Sequence, residues 1–461
     1  MKKIITMMLL ALAGYQLDAI SSVMNHRLTT SSPLLYKVMD YSEKELSIEF
    51  EPWVGGLFDA EHTMANLTPN GKSSLMLDQL GKGDINPEWV LLTANNEDAN
   101  YQSTIKFTPK LSMDGLLFHC YKQFEYFYFD VKTAFIQCKT NVELTESGGN
   151  NGGLIPDFPN ANNQVIYNAQ DAFSQGDWNY GKIGQSQSLI GFDNIQVMVG
   201  STAEMNSFSN PLTQSFFSGF MLVEVPTGAG TKAEWLFEPQ VGTNHWAFGL
   251  GADVLVESEN GFSLVTGGNF RHSIAGWEKR SFDLTNNGAW SRYLGIDFIA
   301  GTEPTVGSPG INLFTQDALV DGKNQITMYT RLQRKFSSCL FELSYNYMHV
   351  QAETISRVTE IPRGYGIFDM NASAGGANLT ASTSTINESI VVQDNPAVEL
   401  KASDFNLVSG AQGAWNSSMI TARLQRVQEG YTYGVGTSVD VAHSAQAISS
   451  WSVWANLEVL L

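Results

Sequence analysis

Only three of the 461 residues are cysteine, too few to staple a chain of this length into a disulfide framework. Charge is scarce as well. Asp, Glu, Lys and Arg together reach 16%, against the roughly 25% usual for soluble domains. Basic charge is the scarcest part: 27 Lys and Arg stand against 46 Asp and Glu, a formal charge of −19. That balance excludes nucleic acid as a partner, because phosphate binding needs a basic footprint. Also missing is an uninterrupted apolar run of the roughly 20 residues that a bilayer-spanning helix requires. The residues that are present exclude bulk disorder: 43% are hydrophobic and 11% aromatic, and 41 are glycine.

The first residues read as an export signal. Met1-Lys2-Lys3 is basic, Ile4 to Ala13 is apolar, and small residues before Gly14 and Ile20 suit cleavage after Ala13 or Ala19. Residues 1–19 are therefore expected to be removed, leaving 20–461 as a single unit. Such a chain is either soluble beyond the inner membrane or inserted in a membrane as strands.

Periodicity favours strands. Trp246, Phe248, Leu250, Ala252, Val254 and Val256 share one parity, with Gly249, Gly251, Asp253 and Glu257 on the other. After Glu259-Asn260-Gly261 the alternation resumes with Phe262, Leu264 and Phe270 against Ser263, Asn269 and Arg271. A three-residue loop keeps the faces matched: it pairs Val256 with Leu264 and Leu250 with Phe270, with Gly261 in the left-handed position. The same alternation recurs over Phe127–Phe135, Ile195–Val199, Ile326–Leu332, Phe341–Tyr347, Tyr431–Val441 and Trp451–Leu461. Strands of this length suit a tilted crossing of the hydrocarbon better than a soluble sandwich.

With the export signal and an aromatic-rich terminal strand, this pattern resembles the outer-membrane β-barrels of Gram-negative bacteria. Leu461 stands where that class usually carries Phe. A narrower likeness runs from Glu224-Val225-Pro226-Thr227-Gly228 through Phe237 to Gly242 and the hairpin beyond. It resembles uncharacterised transporter-like barrels, some of them grouped with aromatic-degradation pathways. The expected fold is all-β: a transmembrane antiparallel up-and-down barrel of about 12 to 16 strands, 14 preferred, with long extracellular loops. The resemblance implies insertion by barrel-assembly machinery, outer-membrane lipid as the surroundings, and small solutes as cargo. A homotrimer is an open assembly state.

Residues 59–100 read as a large loop or a plug, and a short helix is expected near Asn168–Gln175. A structured loop is expected over 275–323, and a surface loop around the low-complexity stretch within 356–412. Met113-Asp114-Gly115 and Ser337-Ser338 read as tight turns. A further turn near Glu125 would set Cys120 opposite position 130, out of reach of Cys138, so all three cysteines are expected unpaired.

Arg331-Leu332-Gln333-Arg334 recurs as Arg423-Leu424-Gln425-Arg426. Parity sends the two Leu to lipid and Arg331, Gln333, Arg423 and Gln425 to the lumen. Candidate lumen-lining residues are thus Asp253, Glu257, Asn269, Arg271, Arg331, Gln333, Glu342, Asn346, Arg423, Gln425 and Asp440. Opposed acidic and basic stripes would impose a transverse field that orders water and disfavours apolar solutes. Metal-binding, phosphate-loop and nucleophile-elbow signatures are incomplete or absent, so neither a cofactor nor an enzyme is expected. Three functions remain: a passive channel for small hydrophilic solutes, a plugged or gated transporter of apolar molecules, and a surface adhesin or envelope anchor.

Overall fold

The computed structural model describes residues 46–87, 93–94, 101–148, 155–156, 168–205, 213–298, 308–367, 384–388, 399–444 and 446–461. The signal segment 1–19 and most of the low-complexity stretch lie outside them. Among the described residues twelve antiparallel strands close into a barrel: β1 (Leu46–Leu57), β2 (Gln102–Gln123), β3 (Tyr128–Gly148), β4 (Ile195–Glu204), β5 (Thr213–Val225), β6 (Ala247–Ser258), β7 (Phe262–Ser273), β8 (Asn324–Phe336), β9 (Cys339–Val350), β10 (Trp415–Gln428), β11 (Tyr431–Ala442) and β12 (Ser450–Leu460). Each pairs with the next, and β12 pairs back onto β1. Two shorter strands, Ser74–Asp78 on β2 and Gln187–Phe192 on β3, bring the sheet to fourteen. Twelve closing strands stand at the lower edge of the expected range.

The two ends of the barrel differ. At one, β2–β3 turns through 124–127, β6–β7 through 259–261, β8–β9 through 337–338 and β10–β11 through 429–430. Gly261, Ser337 and Gly430 hold positive φ there, as such tight turns demand. The register after 259–261 sets Val256 opposite Leu264 and Leu250 opposite Phe270, as face matching requires. At the other end lie the links 58–101, 149–194, 226–246, 274–323 and 351–414. Short turns mark the periplasmic end of such barrels and long links the extracellular end.

Outward positions form an apolar belt that includes Leu250, Met328, Val435 and Ile420. Aromatics edge it: Tyr126, Phe127, Phe336 and Tyr431 toward the tight turns, Trp246, Phe248 and Trp451 toward the long links. Water-exposed in isolation, this surface is stable only against hydrocarbon.

Met113-Asp114-Gly115 is not a turn. It lies inside β2, where Asp114 faces outward opposite Gln137 of β3. The misreading has a physical source: odd positions face inward along the whole strand, but the apolar residues move from the outward to the inward positions here. Below Gly115, apolar Leu116 and Phe118 point out and His119 points in. Above it, Lys106 and Lys110 are on the outer side while Ile105, Phe107 and Leu111 are buried inside. β2 and β3 thus rise past the membrane as a wall supporting a second core. The turn is Phe124 to Phe127, centred half a residue beyond Glu125, so Cys120 faces Val131 rather than position 130. All three cysteines are free.

That second core is an extracellular cap built from the long links. Helix α1 (Ala60–Ala65) is capped by the Asp59 carboxylate, and α2 (Ala169–Ala172) by Asn168. Trp178 stacks on Tyr293, and the Trp290 indole donates to Leu67 O at 2.9 Å, joining two links. Arg292, fully enclosed, is met by Asp283 in a bidentate pair of 2.7 and 2.8 Å.

Candidate functional site

The eleven candidate lumen residues share the inward parity of β6 to β11. Cross-strand register sets Glu257, Ser263, Gln333, Glu342 and Arg423 in one row, and Asp253, Gly267, Tyr329, Asn346, Met419 and Asp440 in another. Gln333 donates to Glu342 at 2.9 Å. Asp253 accepts the Tyr329 hydroxyl, and Arg331 lies over the Tyr329 ring at 5.4 Å. Asn269 faces the lumen between Gly251 and Thr327, while Arg271 bonds Glu224 and Gln325. With its amide oxygen turned toward the guanidinium, Gln425 accepts from Arg423 Nη2 at 2.6 Å and Nε at 3.1 Å.

Arg423 makes its ion pair outside the candidate acids. Its closest carboxylate is Glu49 on β1, reached at 2.5 Å past β11 and β12. Glu49 in turn lies 3.4 Å from His119 Nδ1, His119 Nε2 is 2.9 Å from Asp130, and Lys132 is 3.6 Å from the same carboxylate. Lys132, Asp130, His119, Glu49 and Arg423 therefore alternate in sign along one connected chain from β3 to β10. Both ring nitrogens of His119 face carboxylates, so only the imidazolium donates to both. All five are buried, as are Glu51, Glu342 and Glu458 beside them. Buried charges persist only when paired, and alternation supplies each with a neighbour of opposite sign.

Sequence reasoning missed Glu49, Glu51, His119 and Glu224 and gave no role to Asp130, Lys132 and Glu458. The signal was present at β1, where Glu49 and Glu51 alternate with Ile48 and Phe50. The lumen is also less uniformly polar than parity suggested. Phe220 and Leu222 of β5 pack inward with Tyr121, Tyr128 and Met198, and Leu255, Val265, Tyr329 and Leu340 form another apolar patch.

A second charged cluster ties the cap to the barrel rim, where β6 to β10 meet their extracellular links. His245 donates to Ile274 O through Nδ1 at 2.7 Å and meets Glu278 through Nε2 at 2.6 Å. Arg280 bridges Glu278 at 2.5 Å and Glu353 at 3.2 Å, and Lys323 joins Glu353 at 3.0 Å and Gln412 at 2.7 Å. Burial pushes the Glu278 carboxyl up, but Arg280 and His245 outweigh it and hold the group down to about 2. Burial works against charge on His245, yet the Glu278 carboxylate lifts it above its ordinary value. Burial likewise opposes Glu353, which Arg280 and Lys323 bring below the usual carboxylate range.

No family model and no curated protein sequence matches the chain. Among solved structures it is similar to an outer-membrane channel from Pseudomonas putida F1, at 8% identity and a TM-score of 0.39, covering 90% of this chain and 95% of that one. The transport unit of the autotransporter AIDA-I from Escherichia coli follows at 8% identity and 0.32, covering 91% of each chain. The CymD monoaromatic hydrocarbon channel gives 8% and 0.25, covering 90% of this chain and 87% of that one. The closed sheet, its apolar belt and the contrast between its two ends establish the molecule as an outer-membrane β-barrel.

Proposed function

We propose that the protein is a gated outer-membrane channel for small hydrophilic solutes, in a closed conformation here. One observation carries this reading: the buried, sign-alternating chain from Lys132 to Arg423 crosses the barrel interior. A permanently open passage would leave such groups bathed in water, whereas these are buried beneath a packed cap. Opening the path means exchanging side-chain partners for water, which charged groups accept readily and an apolar lumen would not. The inward carboxylates outnumber the inward ammonium and guanidinium groups, which favours cations in the open state. In planar bilayers the wild-type protein is expected to give brief, salt-dependent current steps, with a reversal potential displaced toward the cation's. Silence from both the wild type and a variant lacking residues 59–87 would contradict the channel. The buried lumen together with the large cap supports a second reading, a non-conducting surface anchor or adhesin, which that silence would favour.

A further inference from the structure

The repeated Arg-Leu-Gln-Arg motif is only half absorbed by the lumen. Its first Arg and its Gln point inward, so period-two parity sends the last Arg outward with the Leu. Arg334 on β8 and Arg426 on β10 accordingly lie on the lipid side, each two residues before its strand ends at a periplasmic turn. Directly above them the belt is apolar, with Leu332 and Leu424 exposed to hydrocarbon. The Arg334 guanidinium carbon sits over two aromatic rings, 3.9 Å from the centroid of Phe262 and 4.9 Å from that of Phe336, and its buried Nε has no hydrogen-bond partner. Among the described residues neither arginine has an ion pair. On β9 between them, Phe341 faces Arg334 and Cys339 faces Arg426, so no carboxylate from that strand answers either cation. Two strand spacings and a two-residue offset along the strands separate the pair, roughly 12 Å.

A guanidinium at the edge of an apolar belt needs an anion that itself resides at that depth. Phospholipid phosphates meet that requirement, and the planar fork of Arg engages phosphate oxygens through paired N–H groups. We infer that Arg334 and Arg426 form a paired docking surface for the phosphate groups of glycerophospholipids in the periplasmic leaflet. The aromatic rings beneath Arg334 hold its guanidinium at headgroup depth, so the phosphate meets a donor already in place. This surface faces away from the lumen and holds whether or not the barrel conducts.

Lipid retention tests it. Wild-type protein transferred from membranes into non-ionic detergent should carry tightly held glycerophospholipid, counted by native mass spectrometry. The double variant Arg334→Gln/Arg426→Gln should lose at least half of it, and Arg357→Gln, at an exposed extracellular position, should lose none. Equal retention in the double variant would overturn the inference. A second measurement needs no variant to fold: adding phosphatidylglycerol to delipidated wild type should raise its unfolding temperature more than diacylglycerol with the same acyl chains. Inorganic phosphate alone should leave it unchanged. An equal rise with diacylglycerol would mean that only the acyl chains bind, and a rise with inorganic phosphate would point to a free-anion site instead.

Discussion

At the scale of single residues, the lumen alternates large and small. Trp454 and Trp53 sit side by side, flanked across the strands by Gly436 and Gly115. Tyr128 faces Gly200, which faces Phe220, which faces Gly251. A Cβ at Gly436 or Gly251 would run into the Trp454 or Phe220 ring. These glycines are therefore seats for aromatic side chains, and they account for part of the chain's glycine content. Gly436→Val should destabilise the barrel by about 1–3 kcal/mol through overpacking, measured by urea unfolding in detergent. Val should be worse than Ala, and no change would mean that Trp454 has room to move. Removing one member of the lumen chain is expected to cost more. Arg423→Ala leaves Glu49 buried beside Glu51 and should lower stability by about 3–5 kcal/mol. Glu49→Gln in the same background should restore part of that loss, since it removes the stranded charge.

At the scale of elements, much was legible in the chain. The 259–261 loop, the hairpin register beyond it and both faces of the Arg-Leu-Gln-Arg strands follow from strict alternation, because a one-residue slip would have driven apolar groups into the lumen. Alternation misled at β2 because the apolar residues change parity at Gly115, where the strand leaves the membrane and its inner face begins to line the cap. Asp114-Gly115 then imitates a turn. The partners of Arg423 were beyond local pattern altogether. Its pairing with Glu49 exists only because twelve strands close, which brings β1 within reach of β10 across the interior. The rim cluster was hidden for a similar reason, since its members come from three different links.

That cluster predicts a pH window for the cap. Glu278 is depressed from the ordinary 4.5 to about 2, so its contribution is complete above about pH 4.5 and is lost as pH falls toward 2. His245 is raised, so its contribution is complete below its unfolded value near 6.5 and is lost as pH rises through the folded one. Hydrogen exchange in the strands Gly276–Ser281 and Thr354–Val358 should be slowest between those limits, after correction for intrinsic rates, and faster on either side. His245→Gln keeps a neutral donor toward Glu278 and should abolish the alkaline arm while sparing the acidic one. An alkaline arm that survives in His245→Gln would assign it to another group.

At the scale of the whole molecule, three layers meet in one closed sheet: a lipid-facing belt, a charged lumen and a cap with its own hydrophobic core. The scarcity of charge in the composition reflects the belt, where a charge near the midplane costs several kcal/mol. The acidic excess is carried partly in the lumen, where it would favour cations in the proposed channel. In the proposed gate the cap and the Lys132-to-Arg423 chain close the same path in series, so loosening either alone should raise the frequency of opening without removing selectivity. Single-channel recording of Arg423→Ala beside wild type in planar bilayers tests this most directly. The variant should open more often, with larger salt-dependent steps and stronger cation preference, because one lumen cation is gone and the bridge to Glu49 is broken. A folded Arg423→Ala barrel that inserts into the bilayer and stays as silent as a protein-free membrane would contradict the proposed gate.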